Sequence, residues 1–313
     1  MTDSNLDDSA TVLVMNPQSG DESHPELVRK LASQAGYEVL ETEYEDHAVE
    51  LAHEAAIAGV REIVAVGGDG TLNEIVQGVL AADALADVTI GVVPAGTGND
   101  FAANIGVTGI EDAFDVIANG ERRRLDLGFA EGRPFLNSCV AGITAEASNK
   151  TSASLKAQFG VLAYVITTIR MASAYPGIEI SATVEDEHGE TTVWEGTAAI
   201  VLVGNGRRFS TAGSEQANVE DGLLDVMILE NVSSLDFARE HLAERLFDRK
   251  GDSLTRFLTS SLDLRLDRDK SATFSLDGEI LDLPSVELHT QKQAVEICVG
   301  DAYEPSPVRD ADV

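Results

Sequence analysis

The stretch Ile63–Leu80, IVAVGGDGTLNEIVQGVL, decides how this chain is read. Ile63 to Val66 run apolar without alternation and stop at a pair of glycines. An uninterrupted apolar run is what a strand covered on both faces requires. Gly67, Gly68 and Gly70 let the backbone turn and bring its amides close to a ligand. Leu72–Leu80 then reads as a helix, whose first-turn N–H groups suit phosphate oxygens. Thr71 stands at the junction. With Glu74 three residues on it can close a capping box, or its hydroxyl can meet a phosphate. Asp69 is the unusual member. An acid among phosphate-binding amides repels phosphate unless it holds a cation, receives a proton or braces its own loop as an Asx-turn.

Two other apolar strands end in the same manner. VLVMNPQSG closes with Asn16, Pro17, Gln18, Ser19 and Gly20, where Asn16 braces the turn, Pro17 stops the strand and Ser19 and Gly20 present donors. IGVVPAGTGND adds the Thr97 hydroxyl, with Asn99 and Asp100 as braces or caps for a following helix. Three strands that each feed a small, polar turn point to one polyphosphate site built from several loops, and hence to a nucleotide-using phosphotransferase. The loops do not follow the Walker spacing, and GGDG does not have the Rossmann spacing. They contain no lysine, so phosphate contact falls to amides, hydroxyls, Mg²⁺ and an arginine from elsewhere.

Around these loops the chain alternates strand and helix. Strands are expected at Thr11–Asn16, Tyr37–Thr42, Ile63–Val66 and Val88–Val93. Helices are expected at Pro25–Ala35, His47–Ala58, Leu72–Leu80, Phe101–Ile105 and Ile110–Asn119. This order predicts a three-layer α/β domain on a mostly parallel sheet over residues 11–130, after a disordered acidic leader at 1–10. The texture then changes. From Arg124 strands dominate, several alternating in the half-buried antiparallel manner, as in SVELHT and SLDLRL. Residues 131–300 therefore read as a β-sandwich or barrel, with inserted helices at Leu155–Met171 and Ser234–Phe247. Pro134–Val140 reads as one strand, Ser285–Thr290 and Ala294–Val299 as two. The tail, 301–313, reads as loosely ordered.

Composition narrows the partners. The 313 residues carry 54 acids against 22 lysines and arginines, a formal net charge of −32, and only 6 of the bases are lysine. Such self-repulsion is relieved by high ionic strength, which reads as a halophilic cytoplasm; an ordinary acidic protein is the plainer alternative. Nucleic acid is not expected, because backbone binding needs a basic footprint. Arg122–Arg124, Arg207 and Arg208 are the basic clusters, suited to an anionic membrane or to strand ends. Cys139 and Cys298 form neither a disulfide framework nor a metal-ligand spacing. There is no secretory signal and no run of 18 apolar residues, so a cytoplasmic protein is expected.

The ordered set NPQSG, GGDGTLNE, PAGTGNDFA, LDLG (125–128), FLNSCVAGI (135–143), VGNG (203–206), EDGLLDV (220–226) and LDGE (276–279) resembles the diacylglycerol kinase catalytic-domain family. That family includes bacterial diacylglycerol kinases, YegS-type lipid kinases and sphingosine kinases. The likeness spans Thr11 to Gly300. It implies a nucleotide-binding α/β domain of the NAD kinase/diacylglycerol kinase kind and a C-terminal β-sandwich domain, with the active site in the cleft. It implies that Asn16–Gly20, Thr42, Gly67, Gly68, Asp69, Gly70, Thr71, Leu72, Asn73 and Thr97 bind ATP. It further implies that Glu279 is the general base for a lipid hydroxyl, with Asp69 and Asp277 nearby, and that Asn218, Asp221 and the Leu223 backbone hold Mg²⁺. The implied partners are a lipid alcohol, diacylglycerol or an ether-linked relative, and a transient peripheral contact with the inner face of the membrane. A homodimer is compatible with this. Residues 159–171 suit a lipid channel or core packing. The chain departs from the family pattern at Asp21, where many relatives carry a basic residue. It also departs in GRRFSTAGSEQANVE, which lacks a second glycine and a proline. These departures bear on substrate and metal affinity more than on fold. NAD kinase, which shares GGDGT, and a non-catalytic nucleotide- or lipid-sensing module are the rival readings.

Overall fold

The computed structural model describes residues 11–142, 177–185, 188–208, 216–230, 254–266 and 271–307. The expected leader, the helices at Leu155–Met171 and Ser234–Phe247 and the end of the tail lie outside them. The described chain forms two compact units. The first holds residues up to Leu127, then Asn218–Asp221, then Gln291 onward; the second holds Gly128–Ala217 and Gly222–Thr290. The break near residue 127 falls where the sequence texture changes. A linear division omits the two later returns of the chain to the first unit.

In the first unit the strands are Thr11–Met15 (β1), Glu38–Glu41 (β2), Glu62–Gly67 (β3) and Thr89–Pro94 (β4), with Glu121–Ala130 (β5) leading out of it. The helices are Pro25–Ala35 (α1), His47–Ile57 (α2), Asp69–Ala81 (α3), Asp100–Asn104 (α4) and Ile110–Asn119 (α5). The sheet runs β2-β1-β3-β4 and is parallel throughout. It is extended, again in parallel, by the end of the last strand, Ser285–Val299 (β15), through Glu296 opposite Thr89 and Ile297 opposite Ile90. From β1 the chain steps one way to β2 and then back across to β3 and β4. Right-handed crossovers then place α1 on one face and α2 and α3 on the other. The packing agrees: α2 lies against α3, and α1 against α5. Helices on both faces explain why Val12–Met15 and Ile63–Val66 are apolar at every position and buried. Helix α1 is punctuated as its sequence suggests, with Pro25 in its first turn and Gly36 in the left-handed conformation at its end.

The second unit contains Arg133–Phe135 (β6), Ser138–Gly142 (β7), Ile178–Glu185 (β8), Thr191–Gly204 (β9), Leu224–Glu230 (β10), Leu254–Thr259 (β11), Ser261–Leu266 (β12), Ala272–Leu276 (β13) and Glu279–Leu283 (β14). Its pairings are antiparallel. Strand β9 serves two sheets. Its first half pairs with β8, and its second half lies between β7 and β10. One sheet is therefore β14-β13-β7-β9-β10-β11 and the other β9-β8-β12-β15. Period-two side chains of the two sheets, among them Val201, Val203, Val226, Phe274 and Leu276 from one and Ile180, Ala182, Val184, Leu262, Leu264, Val286 and Leu288 from the other, make one buried cluster.

Several elements differ from their sequence-based bounds for identifiable reasons. Pro134–Val140 is two strands, because the amides of Leu136, Asn137 and Ser138 bond a distant carboxylate instead of a neighbouring strand. Ser285–Val299 is one strand, continuous through the polar stretch at 290–293. Two edge strands, β11 and β14, went unpredicted; their faces are mixed and half exposed. The tail is not loose at its start. Tyr303 donates its N–H to Gly300, and Gly300 in turn donates to Ile105.

Candidate functional site

In the first unit the three loops touch backbone to backbone, and glycines make that possible. A Cβ on Gly96 would overlap the Cα of Gly68, and one on Gly68 would lie 2.9 Å from the Gly98 carbonyl. One on Gly20, which has φ +63°, would stand 2.5 Å from the Ala95 carbonyl. Hydrogen bonds complete the contact: Ala95 N–H to Gly67 O at 2.8 Å and Asp69 N–H to Gly98 O at 3.2 Å. Asn99 braces its own loop, accepting from Gly96 N–H and donating to Gly96 O. Asn16 accepts from Gln18 N–H, and its carbonyl meets the buried ring of His24 at 3.1 Å. Thr42 follows β2 and donates its N–H to Met15 O. Thr97 is exposed.

Asp69 connects two of these loops. Its carboxylate accepts the N–H groups of Asp100 and Phe101, each at 3.0 Å, at the start of α4. The acid therefore turns toward the neighbouring loop's amides, which the Asx-turn reading missed. Helix α3 begins at Asp69, three residues before its expected start, and Gly68 is its N-cap without any side-chain cap. The capping box with Thr71 and Glu74 is absent: Thr71 lies inside the first turn and is buried. Burial, and then Asp46 and Glu45, push the Glu74 carboxyl up. The N–H groups of Gly70 and Thr71 find no acceptor among the described residues. A helix start with unused amides is suited to an anion.

In the second unit the turn Asp277–Gly278 joins β13 to β14, with both residues at positive φ. The Asp277 carboxylate accepts from the amides of Leu136 at 2.6 Å, Asn137 at 3.0 Å and Ser138 at 2.7 Å, while its own N–H donates to Ser138 O. The same short segment receives Asn205 and Gly206: Asn205 Nδ2 and Gly206 N–H donate to Leu136 O, and Asn205 N–H donates to Asn137 O. The quoted pieces FLN, VGNG and LDGE thus meet at residues 136–138. Glu279 opens β14, half exposed, and is paired with Arg133. Sequence reading missed Arg133, because nothing local links it to a residue 146 positions away.

The loop Asn218–Asp221 belongs to the first unit. Asp126, buried, donates its N–H to Val219 O, and its carboxylate accepts from Gln293 N–H. Arg123 grips Glu220 with two nitrogens at 2.6 and 2.8 Å, and Tyr303 donates its hydroxyl to the same carboxylate at 2.9 Å. Burial and the Glu220 hydrogen bond raise the Tyr303 hydroxyl pKa. Asn218 Oδ1 accepts from Glu220 N–H, and Gly222 has φ +80°. Among the described residues no cluster of three or more His, Cys, Asp or Glu gathers. Asn218, Asp221 and the Leu223 carbonyl offer oxygen donors only, a set whose chemistry fits a hard cation such as Mg²⁺. Arg122–Arg124, candidates by sequence for an anionic membrane or for strand ends, each have partners within the first unit. They bond Glu62, then Glu220 and Glu121, then the carbonyls of Gln293, Ala294 and Ala86.

Comparison with known proteins divides the chain at a similar first boundary, between residues 130 and 137. Residues 10–130 match the diacylglycerol kinase catalytic domain, and residues 137–299 match the YegS C-terminal NAD kinase beta sandwich-like domain. The chain is 30% identical to the diacylglycerol kinase of Bacillus subtilis (strain 168) over 292 residues, covering 87% of this chain and 92% of that one. It is 28% identical to the diacylglycerol kinase of Staphylococcus saprophyticus over 326 residues, covering 96% and 97%. In fold it is similar to a crystal structure of a diacylglycerol kinase from Bacillus anthracis str. Sterne, with TM-score 0.70, 20% identity and coverage of 95% and 98%. An N-terminal α/β domain followed by a C-terminal β-sandwich, matched along nearly its whole length, makes this chain a member of the bacterial diacylglycerol kinase/YegS-like lipid-kinase family.

Proposed function

We propose that this chain is an ATP- and Mg²⁺-dependent lipid kinase that phosphorylates the hydroxyl of diacylglycerol or a related lipid alcohol, ether-linked alcohols included. The observation that carries the reading is the start of α3. Two amides without an acceptor among the described residues stand there, among loops whose glycines keep side chains away. Gly70 and Thr71 N–H, with Ser19, Gly20 and Thr97, would face the polyphosphate. Asn73 supports a nucleoside contact, since its buried side-chain oxygen has no donor among the described residues. Asp69 positions the α4 loop. Asn218, Asp221 and Leu223 O would hold Mg²⁺, which when bound supplies charge neutralisation and props its loop.

Glu279 acts as base. It takes the hydroxyl proton as the lipid oxygen forms its bond to the γ-phosphorus, while the bond from that phosphorus to the bridging oxygen breaks and ADP departs with the electron pair. Asp277, committed to three amides, positions the turn that carries Glu279. No helix among the described residues is long and apolar enough to cross a membrane. A cytoplasmic enzyme that visits the membrane face transiently is part of the same proposal, as is a salty working environment. The test is transfer of labelled γ-phosphate to diacylglycerol in mixed micelles, from dilute to molar salt. Labelled lipid that disappears with Glu279→Gln, while ATP still binds, is the expected result. Formation of NADP from NAD with no lipid labelled would instead establish the NAD kinase reading.

A further inference from the structure

The geometry points to Arg133 as a positioning residue for phosphoryl transfer: its guanidinium pins one oxygen of Glu279 and leaves the other to receive the acceptor's proton. This rests on the reading of Glu279 as base. Arg133 Nη1 contacts Oε1 of Glu279. Oε2 carries no hydrogen bond among the described residues. A base with one oxygen committed and one open has its reactive direction defined, whereas an unpinned carboxylate rotates about its last torsion.

The arginine is itself held. It opens β6 beside Pro134, directly after the two-residue turn Glu131–Gly132, both at positive φ. Such a turn fixes the register of the β5–β6 hairpin, in which Ala130 lies opposite Arg133. Glu131 fastens the turn to β15, donating its N–H to Glu287 O at 3.1 Å and accepting Glu287 N–H at 2.8 Å. On the other side, Asp277 clamps the turn before Glu279 to residues 136–138, just beyond β6. Both partners of the ion pair therefore leave backbones joined to one segment. An exposed pair between free side chains contributes little to stability. This one, with side chains about half exposed (52% and 45%), keeps its carboxylate reachable from solvent.

The experiment is a double-mutant cycle on steady-state kinetics with diacylglycerol. Arg133→Gln should lower kcat about ten-fold or more and leave the lipid KM within about two-fold, because an interaction with the base acts on the transition state. Arg133→Lys, which restores a single-point cation, should return kcat to within about three-fold of wild type. In the Glu279→Asp background, where the shortened carboxylate withdraws from the guanidinium, Arg133→Gln should cost less than about two-fold more. Equal losses in both backgrounds, or a change in KM with kcat intact, would overturn the assignment. Thermal melts of each variant separate misfolding from mispositioning; if Arg133→Gln melts early, Arg133→Lys and the Asp background decide. Wild-type protein that labels no lipid alcohol would refute the lipid-kinase reading itself. An active wild type, an inactive Glu279→Gln and an unimpaired Arg133→Gln would refute only the role of Arg133.

Discussion

The loops of the first unit and those of the second are fixed by opposite means. Around α3 they close because side chains are missing: Gly20, Gly68 and Gly96 let backbone lie on backbone. Around β14 they close because a side chain is present: one carboxylate, Asp277, gathers three amides. The first arrangement leaves the amides of Gly70 and Thr71 without an acceptor among the described residues. The second consumes its amides and delivers a separate acid, Glu279, on a braced turn. Adding a methyl group should damage one, and removing a carboxylate the other.

The largest effect is expected from the second unit. Asp277→Ala strands three N–H groups of residues that are buried, and should cost about 4 kcal/mol in urea unfolding. Asp277→Asn, which keeps one acceptor oxygen and tolerates positive φ, should fall between that variant and wild type. If the alanine variant lost under about 1 kcal/mol, the carboxylate would not be what holds this turn.

Next comes the first unit. Gly96→Ala should cost about 3 kcal/mol and weaken ATP binding by titration calorimetry about a hundred-fold, since backbone must move from backbone. Gly70→Ala is its control. Nothing lies within 4 Å of the added Cβ there, so stability should change by less than about 0.5 kcal/mol. Equal stability losses in the two variants would mean that close approach is not the constraint.

Asp69→Ala crosses the comparison, because it removes a carboxylate that works in the first unit as Asp277 does in the second. Two amides lose their acceptor, and a loss of about 2 kcal/mol is expected. Faster hydrogen exchange at Asp100 and Phe101 should accompany it. Unchanged exchange at both would show the bracket to be dispensable.

The smallest effect concerns Glu220. Burial pushes its carboxyl up, but hydrogen bonds from Arg123 and Tyr303 outweigh that and hold it below the ordinary carboxylate value. A depressed folded pKa adds stability above the unfolded value, about 4.3, and that stability is lost as pH falls through the folded value. Arg123→Gln should therefore destabilise by about 1 kcal/mol at pH 7, and the difference from wild type should close as pH falls through the depressed folded value. A difference that stayed constant with pH would assign the loss to packing.

How much the sequence disclosed follows from the same contrast. Glycines advertise their function locally, so GGDGT, NPQSG and PAGTGND identified the first unit's loops and the parallel sheet beneath them. The start of α3 was misplaced because Thr71 offered a plausible cap and Gly68, with no side chain, offered none. The grip of Asp277 on Leu136, like the pairing of Arg133 with Glu279, spans more than a hundred residues and leaves no local periodicity. It became visible only as an interruption in the apparent strand 134–140. Tyr303 was hidden in a proline-containing tail for the same reason: its partner Glu220 lies 83 residues earlier.

Strand β15 has a consequence for how the molecule is made. The hydrogen bond from Thr89 to Glu296 closes a separation of 207 residues, and the fifth strand of the first sheet comes from residues that follow the whole second unit. A nascent chain emerging from the ribosome cannot complete the sheet of its first unit until residues 296 and 297 have been made. The first unit is thus begun before the second and completed after it, and contacts at such separation slow folding. A deletion from residue 291 onward would strike the first unit, though it removes nothing encoded near it.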